Sequence, residues 1–349
     1  FSLAIRNTQP IGAGPFKVES VTKDETTGII TAYSLRRFKE YKPHAPYLDT
    51  INFKFYSTAD DLAAALERGD VDAASLEYDK ARALGRRVTE IHLPRIVGIF
   101  FNQDNRAALR DLSLRTALNI ATNRELIVDE VAGGYGTPTS LPIPPGAFAY
   151  AENLEDIAYD PEGAKAILER AGYEDSDADG ILEQVVKKER TKVSLTIATL
   201  ETPELSRTAD LVAEMWRAIG IEVNIARFEL GDFEQTIIRP RDYDVILFGQ
   251  NMGYDNDPFG FWHARQIRHP GSNIALYANT KVDGYLEDAQ AATDKKKRQE
   301  LYTSFQEEIM KDKPAVILYS PSYLYVTPDS LKGAEFSVLV FPQDRLSGV

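Results

Sequence analysis

The chain has 349 residues, 43% of them apolar and 27% charged, so it can bury large cores and is long enough for two domains or one elaborate one. A formal charge of −13 at pH 7, with no Lys/Arg stripe interleaved with aromatics, repels phosphate backbones and excludes nucleic acid as an expected partner. The absence of cysteine removes thiolate catalysis, Cys-ligated zinc and disulfides, and no run of about 18 apolar residues reads as a membrane-spanning helix.

Taken in order, Phe16 to Val21, Thr31 to Arg36 and Ile51 to Phe55 have strand composition. Ala59 to Arg68 reads as a helix ended by Gly69, and Val71 to Ala74 as a short strand, so this stretch predicts a βαβ-like unit. An apolar run from Ile96 to Phe101 then ends in Asn102. Asp111 opens an amphipathic helix whose residues Leu114, Leu118 and Ala121 recur at helical spacing.

The region from Val193 onward carries the clearest fold signal. Val193 to Thr199 alternates as a strand, Pro203 to Ile219 is an amphipathic helix closed by Gly220, and Ile221 to Phe228 is a strand. Asp232 to Ile238 follows as a short helix and Tyr243 to Phe248 as an apolar strand. Such a β-α-β-α-β series predicts an α/β layer on a largely parallel sheet, with ligands beyond the carboxyl ends of its strands. The loop after Phe248, GQNMGYDNDPFGFW from Gly249 to Trp262, combines amides and acids with aromatics in a composition suited to recognition. The competing reading places the aromatics in the core and the acids in solvent. Arg298, Tyr302, Phe305 and Ile309 lie three or four apart on a further helix, where core packing or a surface ion pair explains them. Tyr319 to Val326 reads as one strand; Tyr319 and Tyr323 are candidates for facing a ligand, against burial as the alternative.

Enzyme chemistry finds little support. The four histidines, His44, His92, His263 and His269, form no H-E-x-x-H, and neither a G-x-S-x-G elbow nor a G-x-x-x-x-G-K-S loop is present. His263 and His269 lack a third ligand for a nickel site. IGAGP superficially matches a dinucleotide fingerprint, but Pro15 and the strand after it exclude the helix that this requires. Asp175, Asp177, Asp179 and Gly180 reproduce the first half of a calcium loop, yet position twelve is Val186 where a bidentate Glu belongs. A partial calcium site or, preferred, a solvated turn remains.

Several phrases together resemble the family 5 extracellular solute-binding proteins, the peptide and nickel receptors of ABC importers. PIGAGPFKV from Pro10 is similar to the family's P-I-G-T-G-P-Y motif, and FKEYKPHAPYLDTINFKF to its N-x-x-Y-x-x-x-x-P-x-L-D-x-I-x-F segment, with Lys39 where Asn is common. DDLAAALERGDVDAA from Asp60 continues the match. Arg115, Ala117, Asn123, Arg124, Ile127, Gly136 and Pro138 fill the places of a central scaffold signature, and Asn273 to Tyr277, Asn279 to Ala289, Lys297 to Ile309 and Lys313 to Leu318 follow its closing segments. The resemblance covers nearly the whole chain.

This resemblance implies an α/β, bilobal, periplasmic-binding-protein-like (type II) fold with mixed sheets flanked by helices. Residues 1–93 plus 319–349 would form a partial lobe I and 94–318 lobe II, the first lobe being incomplete because the family's N-terminal section is absent and residue 1 is not expected to be the native start. It also implies capture of an oligopeptide or dipeptide by hinge closure and delivery to ABC permease subunits. A monomer is expected, on the periplasmic or extracellular face of the cytoplasmic membrane and lipid-anchored through the missing N-terminus. No enzymatic activity and no cofactor beyond the partial calcium site are expected. The alternatives are a receptor for a sugar or other non-peptide solute, and a non-transport peptide sensor or chaperone-like relative. In the family an acid within D-x-x-x-P meets the ligand's amino group, shortly after a Trp. Here Tyr254 stands four before Pro258, Gly253 or Asp255 could take the place, and Gln250 or Asn251 replaces the Trp. Asp255 is the chosen acid, and the implied ligand set is Asn102, Gln250, Asn251, Met252, Tyr254, Asp255, Trp262, Tyr319 and Tyr323.

Overall fold

The structure is a computed structural model that describes residues 8–42, 46–154, 156–186, 189–332, 339–341 and 344. Its backbone divides into two units, Phe1–Ile91 with Tyr323–Val349, and His92–Ser322. Among the described residues no helix is long and apolar enough to cross a membrane.

In the first unit, β1 (Phe16–Lys23), β2 (Ile30–Arg37) and β3 (Thr50–Lys54) form a three-stranded antiparallel sheet. Helix α1 (Ala59–Arg68) begins where the Thr58 side chain accepts from the Asp61 N–H and ends at Gly69, whose φ of 80° suits a residue without Cβ. The chain then enters β4 (Ala74–Ser75), helix α2 (Tyr78–Ala83) and β5 (Val88–His92). The βαβ-like unit expected here does not form. β3 completes its ladder against β2, whereas β4 belongs to a separate sheet of order β4-β14-β5, in which β14 is Ser322–Val326. The short apolar stretch Val71 to Ala74 carries no mark of which partner it will choose. Leu66, Ala74, Leu76, Ala81 and Val326 make the small core of this unit.

The second unit is built on a six-stranded sheet of order β11-β10-β12-β6-β13-β7. Its strands are β6 (Arg95–Phe101), β7 (Thr137–Pro138), β10 (Ser194–Leu200), β11 (Glu222–Phe228), β12 (Val245–Asn251) and β13 (Ala315–Ser320). β10 runs parallel to both β11 and β12, as the helical crossovers demand, while β6 is antiparallel to β12 and β13, and β7 to β13. The sheet is therefore mixed rather than largely parallel. The expected strand from Tyr319 to Val326 is broken at Pro321, and its halves join different sheets. The longer helices of this unit are α3 (Leu112–Ile120), α4 (Arg124–Ala132), α5 (Pro161–Arg170), α6 (Pro203–Arg217), α7 (Thr280–Ala291) and α8 (Lys295–Asp312), beside shorter helical turns and a hairpin of β8 (Glu183–Val186) and β9 (Glu189–Lys192).

Alternation along the strands sends side chains to two cores, one on each face of the sheet. Val97, Ile99 and Phe101 pack with Leu118 of α3 and Val212 and Trp216 of α6, whereas Ile96, Phe100 and Ile246 pack with Trp262, Leu286 of α7 and Phe305 of α8. Covered on both sides, β6 reads as a continuous apolar run. The signature arginines hold the scaffold together. Arg124 is buried and donates from Nε to the Ile317 carbonyl at 2.7 Å and from Nη2 to Asn119 Oδ1 at 3.2 Å; burial pushes its pKa down to about 10. Arg115 donates from Nη1 to the Leu109 carbonyl at 2.7 Å and from Nη2 to that of Asp312 at 2.9 Å. Arg124 thus ties α4 to strand β13 of the sheet, and Arg115 ties α3 to the end of α8 on the other face.

Candidate ligand-binding site

β12 is longer than its apolar residues suggest. Gln250 and Asn251 continue the ladder opposite Ile96 and Arg95, so the loop begins after Asn251 rather than after Phe248. Strand alternation puts the Gln250 side chain on the face of Ile246 and of its cross-strand neighbour Ile96, the side covered by α7 and α8. Gln250 is only 2% exposed, and among the described residues neither its Nε2 nor its Oε1 has a hydrogen-bond partner.

Such orphans concentrate in the segment that follows. The Trp262 indole is fully buried, its ring 6.0 Å from Phe100, and its Nε1 has no acceptor among the described residues. Asn256 is buried with a φ of 48°, a conformation Asn tolerates better than most residues, and its Oδ1 has no donor among the described residues. Each buried polar group left unpaired costs about 1–3 kcal/mol. A polar partner from outside the chain, ligand or water, would remove that cost.

The acids of this segment are already engaged. Asp257 accepts from the Phe259 N–H at 3.0 Å, Gln290 Nε2 at 2.6 Å and the Tyr302 hydroxyl at 3.2 Å. Arg298 of α8 is held above its ordinary pKa first by its hydrogen bond to Tyr302 and then by charges that include Asp257 and Asp255. Asp255, exposed at the loop surface, thus lies in the field of a cation. Asn251 Oδ1 accepts from the Gly253 N–H at 3.0 Å, which with the Gly253 φ of 69° makes a tight turn; Met252 is buried, its N–H donating to the Pro94 carbonyl, and Tyr254 is 65% exposed.

Asn102 and Tyr319 lie elsewhere in the second unit. Asn102 is at the far end of β6, roughly 20 Å along the strand at 3.3 Å per residue. Its Nδ2 donates to the Arg241 carbonyl and its Oδ1 accepts from the Asp104 and Asn105 N–H groups, the work of a turn former. Tyr319 is fully buried on the opposite face of the sheet, in the core with Trp216, and donates its hydroxyl to Glu204 Oε1 at 2.7 Å. Tyr323 belongs to the first unit, with its ring 6.1 Å from that of Tyr325. His263 has both ring nitrogens engaged, Nδ1 accepting from the Arg265 N–H at 3.0 Å and Nε2 lying 3.2 Å from Glu287 Oε1. Asn256 was not among the expected residues; its one sequence signal is an Asn two before a proline in a turn-rich run.

The Asp175, Asp177 and Asp179 carboxylates lie within 4.8 Å of one another at the base of the β8–β9 hairpin. Asp175 accepts from the Asp179 and Gly180 N–H groups, and the Lys192 ammonium pairs with Asp177 at 3.2 Å and with Asp179. The turn carries its own counter-charge.

Comparison with known proteins places this geometry. The profile of the bacterial extracellular solute-binding proteins, family 5 Middle, matches residues 3–269. The chain is 28% identical over 337 residues to the Oligopeptide-binding protein AppA of Bacillus subtilis (strain 168), covering 94% of this chain and 60% of that one. It is 24% identical over 337 residues to the Dipeptide-binding protein of Escherichia coli (strain K12), covering 93% and 58%. In structure it matches AppA from Bacillus subtilis in complex with a nonapeptide at a TM-score of 0.71 and 26% identity, over 94% of this chain and 64% of that one. The chain thus spans about 60% of the length of the curated relatives it matches. With a profile match over most of its length and the mixed α/β architecture of its structural neighbour, the chain belongs to the bacterial extracellular solute-binding proteins of family 5.

Proposed function

We propose that the protein is the substrate-binding component of an ABC importer, capturing an oligopeptide or dipeptide and delivering it to the permease. The observation that carries this reading is Gln250, a buried amide with both polar ends unpaired at the carboxyl end of β12. A primary amide offers a donor and an acceptor side by side, the complement of what a peptide bond presents. The names of two relatives, oligopeptide-binding and dipeptide-binding, support the same ligand class. Capture works by ligand-driven closure: the ligand shifts the equilibrium by its differential affinity, and the closed form is what the permease recognises. The protein acts as a monomer on the outer side of the cytoplasmic membrane, held there by a lipid anchor, without a cofactor and without catalysis.

A neutral non-peptide solute is the second reading. It is favoured by Asp257 being committed within the fold, while the neutral amide of Gln250 keeps spare bonding capacity. Calorimetric titration with a pool of short peptides, beside a sugar and nickel panel, separates the two. Peptide heats that disappear in Gln250→Met support the peptide reading; a sugar response alone, or no response to any of them, refutes it.

A further inference from the structure

A cavity of about 380 Å³ lies elsewhere in the second unit, between residues 146–153 and the amino-terminal part of α8. That volume falls in the range of small-molecule sites. The loop wall is fixed from behind. Gln306, fully buried on α8, donates from Nε2 to the Ala149 carbonyl at 2.8 Å, while its Oε1 has no partner among the described residues. Ala149 itself has a φ of 65°, a left-handed conformation that costs a residue with Cβ about 1–3 kcal/mol and persists only where the surroundings enforce it. Phe148 points away from the cavity lining, with its ring 6.4 Å from that of Tyr302 and the Lys295 and Arg298 cations over it.

Pinned at Phe148 and Ala149, the loop leaves Tyr150, Glu152 and Asn153 to line the cavity, facing Gln299 of α8. The chemistry of that lining is specific. Asn153 and Gln299 each offer a donor and an acceptor, Glu152 adds a strong acceptor, and the half-buried Tyr150 ring with the Ala149 methyl gives an apolar side. Among the described residues that line the cavity none is a cation, and Glu152 disfavours an anionic ligand. Hydroxyl groups, which donate and accept at once, match the amides and the carboxylate, and the C–H face of a sugar ring suits the aromatic side.

We infer that this cavity is a binding site for a neutral, hydroxyl-rich ligand, a monosaccharide or one sugar unit of a glycan. It is independent of the segment after β12. The test titrates glucose, N-acetylglucosamine and a soluble tetramer of N-acetylglucosamine into the protein, with saturation-transfer NMR and calorimetry as readouts. Asn153→Ala combined with Gln299→Ala, both exposed positions whose truncation leaves the fold intact, weakens binding about tenfold or more, the loss of one or two hydrogen bonds. Gln250→Met leaves it unchanged. Binding of the tetramer alone assigns the site to a glycan, and binding of a free sugar assigns it to a solute. The inference is overturned if no member of the panel binds at millimolar concentration, if the double variant binds as tightly as the parent, or if Gln250→Met abolishes binding, which places the sugar beside β12.

Discussion

Replacing Gln250 by methionine, unbranched and of similar length, should stabilise the ligand-free protein while damaging ligand capture. Two buried amide atoms lack partners in the native fold, at a cost of about 1–3 kcal/mol per unpaired group. A thioether in the same space needs no partners, so the variant gains roughly 1–3 kcal/mol even if only one group carries the full cost. For a unit of this size each kcal/mol raises the melting temperature by about 2–4 °C, so an increase of about 2–12 °C is expected by scanning calorimetry. Binding moves in the opposite direction. Two hydrogen bonds are lost and the ligand's own polar groups are left dry, together about 2–4 kcal/mol, or roughly 30- to 700-fold in Kd. A variant that melts lower than the parent and binds its ligand equally well would refute this reasoning, because Gln250 would then be satisfied within the fold and no part of recognition.

Arg124→Met should cost about 2–4 kcal/mol in urea unfolding, since the Ile317 carbonyl and Asn119 Oδ1 lose their donor; Arg124→Lys should recover little, because an ammonium cannot reproduce the planar fork, and full recovery would count against this account. Asp244→Ala should cost about 1–3 kcal/mol in the same assay, since the buried carboxylate accepts from Asn105 Nδ2, the Thr196 N–H and Arg106 Nε, the last half exposed and free to turn to water; a change below about 0.5 kcal/mol would show the network to be dispensable. In the β8–β9 hairpin, the hydrogen bond from Lys192 and then the Ile181 N–H hold the Asp179 carboxyl below its ordinary pKa. A depressed carboxyl contributes stability above its unfolded pKa and loses it as pH falls through the folded value. Carboxyl NMR titration should therefore find Asp179 titrating low, and Lys192→Met should move it upward; an unmoved midpoint would remove Lys192 as the cause.

What the sequence made legible was periodic and local. The apolar run before Asn102, the helix from Pro203 and the three strands beyond Val193 were readable because a burial face repeats at a fixed spacing, and the structure keeps them within a residue or two, save that the last strand runs three residues further, to Asn251. The choice of partner was not readable. Val71 to Ala74 and Ile51 to Phe55 look like neighbours across a helix, yet their sheets differ, since pairing is decided by strands far away in the chain. Gln250 and Asn251 looked like loop because they are polar and follow Gly249; only the Ile96 and Arg95 backbones opposite them make them strand. Trp262 carried the composition of a recognition loop and lies in the core, where its unpartnered indole nitrogen is a tertiary property with no sequence mark. Asn256 was missed because a positive φ and a dry carbonyl are invisible one residue at a time.

The larger unit is entered and left at one spot. Ser320 Oγ donates to the Leu93 carbonyl at 3.3 Å, and β6 and β13, the strands at these two ends, lie side by side. Joining them means closing a loop of more than two hundred residues, for an entropy that grows only with the logarithm of its length. The parallel trio β10, β11 and β12 closes much shorter loops. Contacts between close neighbours in sequence form fastest, so the trio should assemble first and β13 should dock last, sealing the sheet only after everything between has folded. A ribosome that has just released β12 has therefore delivered the nucleus of this unit but not its final strand, and until Ala315 to Ser320 emerge one edge of β6 stays open to whatever other chain is near.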